Sequence, residues 1–235
     1  MSLKNWDNKT WLSSNNYIKF FNNFLLKQVF LNKNSNILDI GCGRGKILGN
    51  LASRLRLNKK PIGIDIEQHK DRDKRIIFKK IDAINYLKKN KKKFDLILLK
   101  QTIHFFKLKE IRKLILLSKN CLNPNGQVII FTLESSRNEI PTFSLMKKKL
   151  KKSLTKDKKI FRFILRSYQN ILIKKLSYKV KITKKKYIQM IKNRYISILL
   201  SLKFKEILKG IDEINLRYKQ NVDFKDKLIC IILKK

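Results

Sequence analysis

Apolar residues recur along the chain with two periods, which predict an alternation of strands and helices. Short apolar runs predict strands at residues 37–40, 61–66, 75–82, 93–100, 127–133, 178–182 and 228–233. Helical spacing of apolar residues predicts helices at 14–31, 46–57, 83–89, 109–121, 140–176 (as one helix or two), after Thr183 and at 203–218. This order predicts an α/β fold with a doubly wound, mostly parallel sheet of seven strands, closed by a late antiparallel hairpin.

Three of the seven glycines follow the first predicted strand. Gly41, Gly43 and Gly45 lie within five positions, between an apolar strand and a helix that begins at Lys46. Glycine permits positive φ and a close approach of the backbone to a ligand, so this stretch is typical of a nucleotide-binding loop. A dinucleotide-binding G-x-G-x-x-G motif is incomplete here, because Lys46 occupies its third glycine position.

Two later strands end in carboxylates. Asp65 ends the second strand, twenty residues beyond Gly45, where a carboxylate can accept hydrogen bonds from both ribose hydroxyls. Asp82 ends the third strand and is also a favoured residue type for capping the helix that follows. His69 lies in a polar stretch after the second strand, and we expect it on the surface.

Length and composition predict one large α/β domain with a helical cap. The 235 residues contain no run of 18 uncharged apolar residues and no signal-peptide core, so we expect no membrane partner and a cytoplasmic location. The three cysteines are far apart and lack metal-ligand spacing, which argues against a zinc site and for a reducing compartment. The predicted parts are an N-terminal helical cap (1–31), a core (36–133), a helical insertion with the sixth strand (140–220) and the last strand (227–233).

The net charge of +40 raises the question of a nucleic-acid partner. Lysine dominates the basic residues, with 46 Lys against 11 Arg, and lysines occur on nearly every predicted element. An A+T-rich genome imposes such a bias through its codons, whereas nucleic-acid sites more often combine arginine with aromatic residues. We therefore favour a solvated lysine surface over a dedicated nucleic-acid site, although weak binding to polyanions at low salt is expected.

The glycine loop resembles a known family motif. Asp39, Gly41, Gly43 and Gly45 form D-x-G-x-G-x-G, which resembles the first motif of the class I S-adenosylmethionine (SAM) dependent methyltransferases. The L-x-P-x-G stretch at 122–126, before the fifth strand, is similar to a second mark of that family, in which glycine permits a left-handed turn. The resemblance extends over most of the chain and is sharpest at 36–133.

The resemblance implies SAM as the cofactor and identifies the residues that bind it. Asp65 would bind the ribose, Asp82 the adenine amino group, and the backbone amide of Ala83 a ring nitrogen. The complete predicted set is Asp39, Gly41, Cys42, Gly43, Gly45, Asp65, Ile66, Asp82, Ala83, Lys100 and Gln101.

The acceptor side of the site is predicted from two further stretches. Gln101–Phe106 resembles the K-x-x-I-H-H segment of small-molecule methyltransferases, with Phe105 in place of the second histidine. His104 is therefore a candidate general base, or else a group that packs and orients the acceptor, and both roles stay open. Arg194, Tyr195 and Ser197 resemble an R-Y-x-S stretch in the family's helical insertion. The predicted substrate-binding residues are Tyr17, His104, Glu134, Arg194 and Tyr195.

Motifs of nucleic-acid methylases are missing from the sequence. No Asp/Asn-Pro-Pro-Tyr/Phe sequence or cysteine nucleophile follows the fourth strand, and residues 128–133 contain no lysine. We therefore predict a monomeric or weakly dimeric SAM-dependent methyltransferase with a small-molecule acceptor, covered in part by the N-terminal cap, in which Trp6 and Trp11 precede the aromatic helix at 14–31. The alternatives are an RNA (rRNA or tRNA) methyltransferase that uses the basic surface, and a non-catalytic SAM-binding protein.

Overall fold

The computed structural model describes residues 10–235 and contains one seven-stranded sheet. Trp6 and the rest of the predicted cap at 1–9 lie outside the described residues. The strands are β1 (Ile37–Ile40), β2 (Ile62–Asp65), β3 (Ile77–Lys80), β4 (Phe94–Lys100), β5 (Leu122–Leu133), β6 (Ile171–Thr183) and β7 (Asn221–Lys234). Their order in the sheet is β3-β2-β1-β4-β5-β7-β6.

The sheet is parallel except at the edge where β7 joins it. β1 pairs in parallel with β2 and β4, and β7 pairs antiparallel with both β5 and β6. The chain builds outward from β1 to β3 and then returns to place β4 on the other side of β1. Such a reversal opens a crevice at the carboxyl ends of the two central strands. The predicted doubly wound α/β fold with a late hairpin is confirmed.

Helices cover both faces of the sheet. They are α1 (Asn15–Leu26), α2 (Lys46–Leu55), α3 (Ala83–Lys89), α4 (Leu108–Asn120), α5 (Ser144–Ser167), α6 (Lys184–Lys192) and α7 (Phe204–Arg217), with short 3-10 turns at Trp11–Ser13, Ile103–Phe105 and Ser197–Leu199. Side chains of Ser14, Asp82 and Thr183 accept hydrogen bonds from backbone amides of the first turns of α1, α3 and α6. Each of these three helices therefore begins at a residue type that caps free amide groups.

Successive residues of β4 face opposite layers of the core. Leu96 and Leu98 pack with Phe21 of α1 and Leu48 of α2, whereas neighbouring residues of β4 pack against α3 and α4. The apolar β4 sequence is thus explained by burial on both faces, as the strand pattern predicted.

The chain from 171 to 176 is a strand and not the end of a helix, so the predicted helix at 140–176 is wrong in its last part. α5 ends at Ser167, and Asn170 then adopts φ of 56°, a conformation that asparagine tolerates better than most residues. β6 begins at Ile171 and pairs with β7 along its whole length. The apolar residues of this stretch fit a helix or a strand equally well, and pairing with β7 decides between them.

Gly126 allows a close approach of two strands and does not form the predicted left-handed turn. Only Gly41, Gly43 and Gly45 have positive φ among the glycines, all of which lie in the described part of the chain. A Cβ atom at Gly126 would lie 2.6 Å from the carbonyl oxygen of Phe94. Glycine is therefore required here for the pairing of β4 with β5.

Gly210 of α7 packs against Phe143, the residue before α5, so substitution of Gly210 tests the packing between α7 and the start of α5. A Cβ atom at this position would lie 2.4 Å from ring atoms of Phe143, which precedes α5 and is fully buried. Alanine normally stabilises a helix relative to glycine, but overpacking costs about 1–3 kcal/mol. We expect Gly210→Ala to lower the free energy of unfolding, measured by urea denaturation. Lys209→Ala, at the exposed neighbouring position, should not, and a Gly210→Ala variant as stable as the wild type would contradict this packing.

Candidate functional site

A cavity of about 480 Å³ lies at the carboxyl ends of β1, β2 and β4. The loop after β1 forms one wall, and its glycines Gly41, Gly43 and Gly45 adopt φ of 72°, 55° and 71°. A Cβ atom at Gly41 would collide with Thr102 at 2.3 Å, whereas a Cβ atom at Gly43 would have no atom of the described residues within 4 Å, apart from Gly43 itself and its two chain neighbours. Gly41 therefore packs the loop onto the protein, and Gly43 leaves open space beside the cavity.

Asp39 is a buried carboxylate in the wall of this large cavity. Its side chain is 4% exposed, and Oδ1 has no hydrogen-bond partner within the described chain. Burial raises the pKa of Asp39 to about 7; the positive charge of Lys100 opposes this increase and the negative charge of Asp65 adds to it. A buried, unpaired acceptor oxygen is costly, so its presence indicates a place where a ligand donates a hydrogen bond.

Asp65 holds the glycine loop in place. Its Oδ2 accepts a hydrogen bond from the Gly43 amide at 2.9 Å, and its Oδ1 accepts one from the Glu67 amide at 2.9 Å. Each carboxylate oxygen has a second lone pair, so Asp65 can accept further hydrogen bonds on the side that lines the cavity.

Asp82 and Ala83 lie at the start of α3, on another wall of the large cavity. Asp82 Oδ1 accepts a hydrogen bond from the Asn85 amide at 2.9 Å, so the predicted capping role is observed. The same residue lines the cavity, and capping leaves acceptor capacity on its carboxylate for a ligand.

The residues predicted to bind the cofactor come together in this one cavity. All of them line it: Asp39, Gly41, Cys42, Gly43, Gly45, Asp65, Ile66, Asp82, Ala83, Lys100 and Gln101. His69 also lines it and is only 3% exposed, so the expectation of a surface histidine was wrong. The loop after β2 folds back over the cavity and buries this side chain, which a polar local sequence did not indicate.

These residues fit SAM. The cavity has the volume of typical small-ligand sites, which span about 300–1,000 Å³. The open space at Gly43 permits close approach of a ligand to the backbone, and Asp39 Oδ1 offers an unused acceptor.

A second, smaller cavity of about 60 Å³ adjoins the large one. Leu12, Gln101 and Phe105 line both cavities and so form the boundary between them. Gln101 adopts φ of 53°, which costs about 1–2 kcal/mol for a residue other than glycine. Such a strained residue between two cavities is typical of a functional site.

His104 lines the small cavity from the 3-10 turn after β4. Its half-buried ring packs against Phe105 with a centroid separation of 4.2 Å, and its carbonyl oxygen accepts a hydrogen bond from Lys156 Nζ at 2.7 Å. Burial, and then the positive charge of Lys156, lower the pKa of His104 to about 4. The imidazole is therefore neutral at physiological pH.

Tyr195 belongs to a hydrogen-bonded group that fixes the other walls of the small cavity. Its hydroxyl lies 3.0 Å from that of Tyr187, which donates a hydrogen bond to the carbonyl oxygen of Pro141. Trp11 packs edge-on against Tyr195 and donates from its indole nitrogen to Asp226 Oδ2 at 3.1 Å. Aromatic contacts and buried hydrogen bonds thus hold the segment before α1 over the cavity.

Three predicted substrate-binding residues lie outside the linings of both cavities. Tyr17 is fully buried against Tyr178, with Lys100 Nζ 5.3 Å from its ring centroid. Glu134 pairs with Lys175 at 3.4 Å. Arg194 donates to the carbonyl oxygens of Leu199, Leu200 and Leu202. Each of these side chains therefore has structural partners within the protein, outside the two cavities.

Two carboxylates of the small cavity, Asp157 and Asp226, were missed by the sequence reasoning. The sequence does contain a signal for both: each is an acidic residue at a position where the spacing of the helix or strand predicts an apolar one. Asp157 shares a helical face with the buried Leu154 and Ile160, and Asp226 lies on the same face of β7 as the buried Phe224 and Leu228. An acidic side chain at such a position becomes buried when that face of the helix or strand packs onto the core.

The chain belongs to the class I SAM-dependent methyltransferases, because the family described as "Methyltransferase domain" matches residues 31–194. No curated protein matches the chain significantly. Its cofactor is SAM. Within residues 10–235, no helix has the length and apolar character to cross a membrane, and no cluster of three or more His, Cys, Asp or Glu side chains is arranged to hold a metal ion.

Solved structures with the same fold are similar over most of their length. A putative methyltransferase from an antibiotic biosynthesis pathway of Anabaena variabilis aligns with a TM-score of 0.65 at 14% identity, covering 89% of this chain and 95% of that one. A SAM-dependent methyltransferase from Geobacter sulfurreducens in complex with S-adenosyl-L-homocysteine (SAH) aligns at 0.56 and 15% identity, covering 94% and 92%. The plantazolicin methyltransferase BpumL, in complex with a monoazolic desmethylPZN analog and SAH, aligns at 0.53 and 17%, covering 98% and 87%.

The buried carboxylate of Asp39 predicts a pH dependence of stability. Because its pKa rises from 3.8 to about 7 on folding, the folded state binds this proton more tightly than the unfolded chain. The free energy of unfolding therefore decreases as pH rises from 3.8 to about 7, and the decrease is complete above the pKa of the folded state. We expect Asp39→Asn to remove this slope and to be more stable than the wild type above neutral pH by ~1–4 kcal/mol.

Urea denaturation of the ligand-free protein at several pH values measures the effect. Asp212→Asn, which changes an exposed carboxylate of α7, serves as the control and should keep the wild-type slope. An Asp39→Asn variant with the same slope as the wild type would show that Asp39 does not titrate as described.

Proposed function

We propose that this methyltransferase acts on a small-molecule acceptor whose reacting end enters the small cavity. The observation that carries the proposal is the contact between two cavities of different size at Leu12, Gln101 and Phe105. The large cavity has room for a nucleoside cofactor, whereas the small one, at about 60 Å³, accommodates only a few non-hydrogen atoms. A small organic group beside a cofactor is the arrangement that methyl transfer requires.

The large cavity contains the groups that would hold SAM, which supplies an activated methyl group when bound. The backbone at Gly43 would lie against the methionine part, and Asp65 would accept hydrogen bonds from the ribose hydroxyls. Asp82 would accept from the adenine amino group and the Ala83 amide would donate to a ring nitrogen. Asp39 Oδ1, which has no hydrogen-bond partner within residues 10–235, is available to a donor of the ligand.

His104 is proposed to orient the acceptor. Its neutral imidazole can exchange hydrogen bonds with a group inside the small cavity. A pKa of about 4 makes it a weak acceptor of protons near neutral pH, which favours orientation over general-base catalysis. Positioning by the cavity walls supports transfer to an already activated methyl group without a strong base.

An RNA acceptor receives less support than a small molecule. Lysine and arginine are missing from the described residues that line the small cavity, although the chain as a whole carries a charge of +40. RNA binding usually relies on cationic contacts with phosphates close to the reacting base. Two of the similar structures are named for plantazolicin and for an antibiotic biosynthesis pathway, which favours an acceptor other than RNA. The monomeric or weakly dimeric state stays a prediction.

The proposal is tested by following the label from methyl-labelled SAM into a small-molecule extract or into total RNA. We expect the wild-type protein to label the small-molecule fraction. Ser153→Phe should fill the small cavity and lower this labelling at least about tenfold without loss of SAH binding, since Ser153 lines only that cavity. Ser167→Phe, at the exposed end of the same helix, is the matched control and should retain activity.

Other outcomes distinguish the alternatives. Label in RNA would contradict the small-molecule proposal, as would full activity of Ser153→Phe. SAH binding with no label in either fraction would favour a non-catalytic SAM-binding protein.

A further inference from the structure

The small cavity is lined by acidic residues, whereas the molecule as a whole is strongly basic. The chain contains 57 Lys and Arg residues against 17 Asp and Glu. Yet the charged residues among the described lining of this cavity are two aspartates, Asp157 and Asp226. His104 also lines this cavity, and its surroundings hold the imidazole neutral at physiological pH. A negative cavity inside a strongly basic protein selects for a positively charged guest.

Asp157 is the carboxylate that needs a partner. It lies on α5 among buried apolar residues and is only 5% exposed, and its Oδ1 has no hydrogen-bond partner in the described chain. Lys156, its neighbour in sequence, donates to the carbonyl oxygen of His104. An unpaired buried carboxylate oxygen costs more than an unpaired neutral group, because its charge also loses hydration.

Asp226 is held differently. It is 1% exposed and accepts a hydrogen bond from the indole nitrogen of Trp11. Burial raises the pKa of Asp226, and the charge of Lys100 opposes this increase only in part. Asp226 therefore already has a hydrogen-bond donor within the protein, whereas Asp157 Oδ1 offers an unused acceptor to a guest.

The remaining walls are mainly apolar and determine what accompanies the positive charge. Trp11, Leu133, Ile140, Leu150 and Ile198 line the small cavity. At about 60 Å³ the cavity exceeds the roughly 10–15 Å³ that one water molecule needs on the same measure, and it is smaller than the cavity of about 150 Å³ that holds benzene in another protein. It fits an ammonium group with a few aliphatic carbons.

We propose that the acceptor is an amine whose protonated nitrogen enters the small cavity, donates a hydrogen bond to Asp157 Oδ1 and passes one proton to this carboxylate before methyl transfer. The nitrogen lone pair would then form the bond to the methyl carbon while the bond from that carbon to the sulfur of SAM breaks, with SAH as the leaving group. This inference rests on the proposed function, since it names the chemical class of the acceptor at that same cavity. Burial raises the pKa of Asp157 and the charge of Lys156 opposes this increase, but Lys156 donates its hydrogen bond to the carbonyl oxygen of His104, and Asp157 Oδ1 lacks a donor within the described chain. An ammonium group supplies a charged donor at this oxygen, whereas a hydroxyl group supplies only a neutral one. Asp157 is thus a substrate-binding residue, and the apolar walls contact the carbon chain.

The test compares two probes of the same shape, isobutylamine and isobutanol, on the SAH-bound protein near neutral pH. Binding is followed by the NMR signal of the Trp11 indole N–H, which lies at the cavity and is assigned with a Trp6→Phe variant. We expect the amine to bind at least about tenfold more tightly than the alcohol, the usual gain from a hydrogen bond to a charged group. This factor corresponds to about 1.4 kcal/mol.

Variants show whether Asp157 is responsible. Asp157→Asn keeps the shape of the side chain and removes its charge, so it should reduce the preference for the amine to less than about threefold and leave alcohol binding nearly unchanged. Asp157→Ala is measured beside it, so that a folding defect in one variant does not decide the result. Asp212→Asn, at an exposed position of α7, should keep the wild-type preference.

Equal binding of the two probes would overturn the inference, as would a preference that survives in both Asp157 variants. In these cases alcohol binding at the small cavity would still support the proposed function. If neither probe perturbs the Trp11 signal of the SAH-bound protein, the small cavity is not the acceptor site and both proposals fall.

Discussion

The reversal of strand order between β1 and β4 is the constraint on which the rest of the structure depends. It leaves the carboxyl ends of two adjacent strands without a helix packed across them, and Asp39 and Lys100 lie on these strands at that edge. The glycine loop after β1 and the turn after β4 both begin there and form the walls of the large cavity. The turn after β4 also lines the small cavity, so the two cavities lie side by side at the ends of β1 and β4.

The site is maintained at a cost in stability. Asp39, Asp157 and Asp226 are all buried, and an oxygen of each of the first two has no hydrogen-bond partner in the described part of the chain. Burial raises the pKa of Asp39 to about 7 and that of Asp157 to about 6, so charge at these positions is disfavoured in the folded protein. Ligands that donate hydrogen bonds would remove this penalty, which links folding energetics to recognition.

Local sequence patterns predicted the sheet and the lining of the large cavity, but only part of the lining of the small cavity. The spacing of apolar residues predicts the strands, and the three clustered glycines predict the binding loop. The carboxyl ends of parallel strands lie at one edge of the sheet, so the sequence was enough to locate Asp65 and Asp82 near that loop. The direction of a side chain depends on tertiary packing, which is why Arg194 binds backbone carbonyls and His69 is buried. Asp157 and Asp226 could have been found as acids on apolar faces.

A crystal structure of the protein with SAH tests the central claim most directly. The account predicts SAH in the large cavity, with the ribose hydroxyls bonded to Asp65, the purine at Asp82 and Ala83, and the sulfur facing Gln101 and the small cavity. SAH bound elsewhere, or bound there with its sulfur directed away from the small cavity, would contradict the account.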